Sequence, residues 1–260
     1  MELRWLAEIR CSGNVINEAD GTRSALRSVE KTEKGNEHLR ARKRVLIMTA
    51  VEAERQAVLR GLRGDARFEV DLAGVGPALA AARTAAALVS AKGGGDGGFG
   101  LVVSAGIGGG FSGAAEIGSL VVASEIVAAD LGAETPEGFL PLDELGFGSA
   151  RTAVDEAAAG RLVEALKSAG LPVRSGPVLT VSTVTGTAAT ALNRAGRFPG
   201  AAAEGMEGYG VAVAASDLGV PALELRAISN PVGPRDRSAW RIKEALEALE
   251  AASAILPEVL

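Results

Sequence analysis

Short apolar runs alternate with amphipathic stretches from Arg44 to the C-terminus, and the alternation predicts strand and helix in turn. Arg44 to Thr49 (RVLIMT) reads as a strand, and Glu52 to Arg63 as a helix whose opening acids suit the positive end of the macrodipole. Phe68 to Ala73 reads as a second strand. It ends at Gly74-Val75-Gly76-Pro77, with Pro77 suited to the first position of an alanine-rich helix through Lys92. Beyond a GGGDGG stretch, read as flexible, Leu101, Val102 and Val103 predict a buried strand that opens into Gly106, Gly108, Gly109 and Gly110. Ser119 to Val127 is apolar and β-branched, so strand follows strand there. Asp130 to Gly148 reads as a loop-rich connection, a lid or an interface loop. Glu156 to Ala169 is a helix stopped by Gly170, Val178 to Thr183 a strand, Gly205 to Leu218 a helix and Ala222 to Ser229 a strand. Ser238 to Leu256 closes the chain as an amphipathic helix, with Ser238 as its expected N-cap. Such alternation predicts an α/β fold of three layers, a central mixed sheet between helices, with ligands beyond the carboxyl ends of strands.

The Gly106 to Gly110 cluster follows directly on an apolar run. Without a Cβ these residues let a ligand approach the backbone and reach dihedrals that other residues avoid. Gly108 to Gly113 formally fits G-x-G-x-x-G, which raises an oxidoreductase that binds NAD, but that fingerprint has to open a helix. Gly118 and the β-branched run after it argue against one. A floor for another small molecule remains.

Charge and composition narrow the partners. A net charge of -5, a pI near 5.2 and 3% aromatic residues argue against nucleic acid, and no apolar run is long enough to span a bilayer. Cys11 and His38 are each the only residue of their kind. One cysteine forms no internal disulfide, which suits a cytoplasmic protein. Both fall in a polar N-terminal segment, so cysteine-histidine catalysis, a serine triad and a zinc site are not expected in the folded body, nor is a metal or a cofactor. Residues 1 to 43 have little periodic apolar pattern, with ten Lys/Arg against seven Asp/Glu through Arg44. They read as a disordered extension before a domain over 44 to 260, with a partner-binding arm as the alternative.

Four pieces fall at predicted strand ends: Ala50-Val51-Glu52-Ala53-Glu54, the Gly106 to Gly110 stretch, Gly205-Met206-Glu207-Gly208, and Arg226-Ala227-Ile228-Ser229-Asn230. Their order and chemistry resemble the nucleoside phosphorylase and nucleosidase superfamily, particularly its methylthioadenosine/S-adenosylhomocysteine nucleosidases. Met206 to Tyr209 together with Ser229 to Arg237 (SNPVGPRDR) looks most like the futalosine hydrolase family, on the futalosine route to menaquinone. The resemblance runs from about Arg44 to the C-terminus and implies cleavage of an N-glycosidic bond through an oxocarbenium-like transition state.

By that resemblance Glu54 activates water; its plainer reading is a solvated acid at a helix start. Glu52, two residues away, fits the dipole-complementing role better. Glu207 matches the carboxylate that accepts from the ribose 2′- and 3′-hydroxyls, against a plainer reading as a helix cap. Met206 would pack on the ribose face, with a core methionine as the alternative. Ala50, Gly108, Gly109 and Ser229 belong to the matching strand ends, and Thr183, Thr185 and Gly186 match the loop that covers the base. The aromatic residue that adenine enzymes carry near that loop has no counterpart here. Asn230 departs from the adenine enzymes, which carry aspartate there. An amide donates to O6 or N7 of a 6-oxopurine but is no general acid, so the substrate expected is a hypoxanthine nucleoside; a turn-forming Asn before Pro231 is the alternative. Phosphorylases grip phosphate with arginines near the first strand and the glycine stretch. Here those places hold Ala50-Val51 and Val103-Ser104-Ala105, so water is the expected nucleophile. Arg235 and Arg237 flank Asp236 just past the base-binding strand, and either could pair with the carboxylate at the 5′ end of futalosine or form a surface ion cluster. A nucleoside-binding module without catalysis and an inosine phosphorylase stay open as alternatives. The superfamily implies a homodimer or larger homo-oligomer.

Overall fold

A computed structural model of the chain describes residues 44–93 and 98–260. The predicted N-terminal extension with Cys11 and His38, and most of the GGGDGG stretch, lie outside the described residues. In chain order the elements are β1 (Arg44–Thr49), α1 (Glu52–Leu62), β2 (Phe68–Leu72), α2 (Pro77–Gly93), β3 (Phe99–Gly110), β4 (Leu120–Ala128), β5 (Gly132–Thr135), β6 (Gly138–Pro141), α3 (Leu142–Leu145), β7 (Arg151–Ala153), α4 (Glu156–Ser168), β8 (Val173–Thr180), α5 (Ala188–Arg197), β9 (Ala203–Gly205), α6 (Gly208–Asp217), β10 (Ala222–Pro231), a 3-10 turn (Arg237–Ala239), α7 (Ile242–Ser253) and α8 (Leu256–Val259).

The predicted α/β layering is present, with a mixed sheet of eight strands at its centre. Its connectivity is less open than alternation implies. β10 pairs with β4 on one side and with β3 on the other, so β10, β4, β8, β9 and β3 close into a ring, while β1 and β2 extend it from β3. The length of β3 permits this: its first half pairs with β1, and its last two residues pair with β9 along the same edge.

Three expectations are corrected and one helix is added. The glycines 106, 108, 109 and 110 continue β3 to its end instead of following it, and none has the positive φ that their freedom would allow; they serve close packing. The Asp130 to Gly148 connection holds the β5–β6 hairpin and α3. Between the predicted strand at Val178 to Thr183 and the helix from Gly205 the structure adds α5, which Thr187 caps by accepting from the Thr190 amide. Ser238 is not the cap of the last helix. It sits in the 3-10 turn, where Asp236 accepts from its amide, and α7 starts only at Ile242.

The larger of two hydrophobic clusters packs the sheet against its helices, and a smaller one gathers Phe111, Val127, Leu179, Val181 and Phe198. Leu46, Ile47, Val102, Val103, Leu223 and Leu225 fill the space between the central strands and the helices. Burial of such aliphatic side chains, at about 25 cal/mol per Å² of apolar surface, is the main stabilising term. It fixes where the strand ends lie, and therefore where the site can be.

Candidate active site

The carboxyl ends of β1, β3 and β10 open into a cavity of about 370 Å³. Glu54, Glu207 and Asn230, separated by more than 150 positions of sequence at the extremes, all line it. So do Ala50, Met206, Gly108, Gly109, Thr185, Ser229 and Arg235. Gly186 and Arg237 do not line it. A second, more open cavity of about 490 Å³ lies between β1, β2 and α2 and contains none of these residues.

Glu54 is 3% exposed, so the solvated helix-start reading is wrong. Its Oε2 accepts from the amides of Ala50 (2.9 Å) and Val51 (3.2 Å), and its Oε1 from the amide of Ile107 (2.8 Å). These bonds tie the start of α1 to the end of β3. Burial pushes its pKa up, opposed by the nearby Arg226 guanidinium and the amide of Ile107. Glu52 is solvent-facing, and Arg55 turns to Glu52 and to the Val70 carbonyl.

Glu207 occupies the N-cap position of α6 but makes no side-chain cap bond. Its Oε1 accepts from Gly76 N at 3.2 Å, and its Oε2 lies near Met206 N. A carboxylate that leaves the helix end uncapped and turns into a cavity is placed for a ligand.

Two residues beneath the floor have no role in the sequence reading: Arg226, which opens the fourth motif piece, and Glu224, which lies just before it in the predicted strand. Arg226 and Glu224 point the same way from β10, and both are fully buried. Arg226 Nε donates to Glu224 Oε1 at 2.8 Å, Nη2 donates to Ser104 Oγ at 3.0 Å, and Nη1 stands 3.6 Å from Glu207 Oε2. Burial opposes the Arg226 charge, but Glu224, Glu207 and Glu54 outweigh it and raise its pKa. Burial raises that of Glu224, whose Oε2 has no partner among the described residues. The available signal was a Glu and an Arg two apart inside an apolar strand, since charge in such a place requires a partner.

Asn230 is held at both ends of its amide: Oδ1 accepts from Ser229 Oγ (2.8 Å) and Nδ2 donates to Pro231 O (3.0 Å). One N–H of the NH₂ group is left to face the cavity. Arg235 and Arg237 both lie over the Trp240 ring, at 5.5 and 5.9 Å from its centre. Asp236 accepts from Ser238 instead of pairing with either arginine, which removes the ion-cluster reading among the described residues. Trp240 also lines the cavity, so an aromatic wall is present after all. It comes from the C-terminal segment, not from the loop near Thr185.

Comparison with known proteins gives the family. The profile of the phosphorylase superfamily matches residues 24–260, beginning ahead of Arg44. The chain is 53% identical to a futalosine hydrolase of Streptomyces coelicolor, over 83% of this chain and 96% of the relative. It is 48% identical to one of Acidothermus cellulolyticus, over 81% and 89%. Its fold is similar to a 5′-methylthioadenosine/S-adenosylhomocysteine nucleosidase of Neisseria meningitidis (TM-score 0.72, 19% identity, 84% of this chain and all of the other). It is also similar to a futalosine hydrolase of Helicobacter pylori (TM-score 0.67, 18% identity, 84% and 97%). The chain belongs to the phosphorylase superfamily and, within it, to the futalosine hydrolase family.

Proposed function

We infer that the protein hydrolyses the N-glycosidic bond of futalosine and releases hypoxanthine, a step on the futalosine route to menaquinone. The observation that carries this is the convergence of Glu54, Glu207 and Asn230 on one cavity, in a chain 53% identical to a futalosine hydrolase.

The chemistry follows from where charge develops. As the base leaves, the ribose gains positive charge, and the cavity is lined by three carboxylates, Glu54, Glu204 and Glu207, against one cation, Arg235. Such a wall favours the oxocarbenium-like state and disfavours a phosphate dianion, so water is the nucleophile. Glu54 Oε1 accepts one backbone bond and keeps a lone pair for that water, and its raised pKa suits a base. Glu207 accepts from the ribose hydroxyls, with Met206 against the sugar. Asn230 donates to O6 or N7 and steadies the negative charge that grows on a 6-oxopurine. Ala50, Gly108 and Gly109 form the floor, Ser229 sets the Asn230 amide, and Thr185 and Gly186 belong to the covering loop. Arg235 takes the carboxylate of the 5′ group in preference to Arg237, because Arg235 lines the cavity.

Incubating the protein with futalosine, inosine and methylthioadenosine, each with and without phosphate, and following free base tests the reading. Hypoxanthine released from futalosine without phosphate is expected. A requirement for phosphate would make the protein a phosphorylase, and tight binding without turnover would make it a binding module. The same reading takes the protein as a cytoplasmic homodimer or larger homo-oligomer that uses no cofactor and binds neither nucleic acid nor membrane. Light scattering tests the oligomer.

A further inference from the structure

Glu204 lines the same cavity, and the reaction just described gives it no hydrogen bond to the water, the sugar or the base. It is 5% exposed, and it lines the cavity from β9. Its Oε2 accepts from Thr185 Oγ1 at 2.5 Å and from Arg194 Nη1 at 2.8 Å. Its Oε1 accepts from the Thr185 amide alone, at 2.8 Å. A carboxylate oxygen takes two such bonds, so Oε1 keeps one lone pair. Arg194 is itself buried and also donates to the Thr183 carbonyl and Thr185 Oγ1, which locks the carboxylate in place.

Register sets what this lone pair can meet. Gly109 of β3 pairs with Asn230 of β10 on one side and with Glu204 of β9 on the other. With strands about 4.8 Å apart, Asn230 and Glu204 stand roughly 10 Å apart across a residue with no side chain. That gap holds a flat bicyclic base, and a Cβ on Gly109 would intrude, 3.3 Å from Asn230 Nδ2. A purine whose O6 or N7 edge meets Asn230 turns its N1 toward β9. In a 6-oxopurine N1 carries a hydrogen; in a 6-aminopurine it carries a lone pair.

We propose that Glu204, buttressed by Arg194 and Thr185, accepts the N1–H of the base and is the residue that selects a 6-oxopurine over a 6-aminopurine nucleoside. This rests on the nucleosidase reading of the cavity and names its base specificity. The carboxylate is an acceptor only, so an adenine N1 would face it lone pair to lone pair. Rejection by an unpaired buried polar group is a strong form of selectivity. Hydrogen bonds to charged groups are worth about 1.5–3 kcal/mol, or roughly 10- to 150-fold in preference.

The test compares kcat/KM for futalosine and for its adenine counterpart in the wild type and in Glu204→Gln. The glutamine keeps the volume and brings an NH₂ group that can donate to an adenine N1. The preference for the hypoxanthine substrate is expected to fall at least tenfold. A merely structural loss would lower both substrates together, and a ratio unchanged within threefold overturns the proposal. Should the variant not fold, the wild type is assayed with the 1-deaza analogue of the hypoxanthine substrate, in which C–H replaces N1–H. A drop of at least tenfold is expected, and equal turnover overturns the proposal. A wild type that cleaves no purine nucleoside would instead overturn the nucleosidase reading itself.

Discussion

Gly106 and Glu54 compete for one space: a Cβ on Gly106 would stand 2.6 Å from Glu54 Oε1 and 2.7 Å from Arg226 Nη1. This glycine, in the second half of β3, is therefore what lets the carboxylate reach the Ile107 amide from α1. Gly106→Ala is expected to push Glu54 aside. A displacement of about 1 Å costs on the order of 100-fold in rate, while overpacking costs about 1–3 kcal/mol of stability. Steady-state kinetics beside urea unfolding checks both; unchanged kcat/KM would show that Glu54 is not held by this contact.

Arg226 stands among three acids, Glu54, Glu207 and Glu224, in direct ion-pair distance of Glu224 and Glu207. Removing one partner of a buried pair strands the others, at a cost of about 3–5 kcal/mol. Arg226→Met should lower unfolding stability by that amount in denaturant titration, far beyond the roughly 0.5 kcal/mol of an ordinary surface change.

The elevated pKa of Glu54 has a kinetic sign. Its carboxyl must be ionised to accept a proton from water, so the acidic limb of kcat/KM should lie above the ~4.3 of a free glutamate, and the limb is expected to disappear in Glu54→Gln. That variant should lose about 10²- to 10⁴-fold in kcat while still binding substrate in calorimetry. By linkage, the folded state holds this proton more tightly than the unfolded chain. The contribution of Glu54 to stability is thus fully present below its unfolded pKa and lost as pH rises through the folded one.

Arg235 and Arg237 share the Trp240 ring, but only Arg235 also lines the cavity. Arg235→Ala is expected to lower kcat/KM for futalosine by about tenfold or more, the value of a charge-assisted bond, and to leave inosine, which lacks the carboxylate, within about threefold. Arg237→Ala should do less on futalosine. Equal losses on both substrates in Arg235→Ala would remove the carboxylate assignment.

Local pattern determined the elements whose signal lies within one window. RVLIMT, the acids opening α1, Pro77 at the head of α2 and the motif pieces around Glu54, Glu207 and Asn230 were legible because periodicity, caps and short motifs depend on near neighbours. Which strands meet was not. Pairing of β10 with both β3 and β4 sets Asn230 and Glu204 on either side of Gly109, and it buries Arg226 among Glu54, Glu207 and Glu224. Those are contacts between residues far apart in the chain. A charge in an apolar strand announces that it needs a partner, but only the closed sheet decides which partner arrives, because long-range register is fixed by the packing of the whole core and not by the residues on either side.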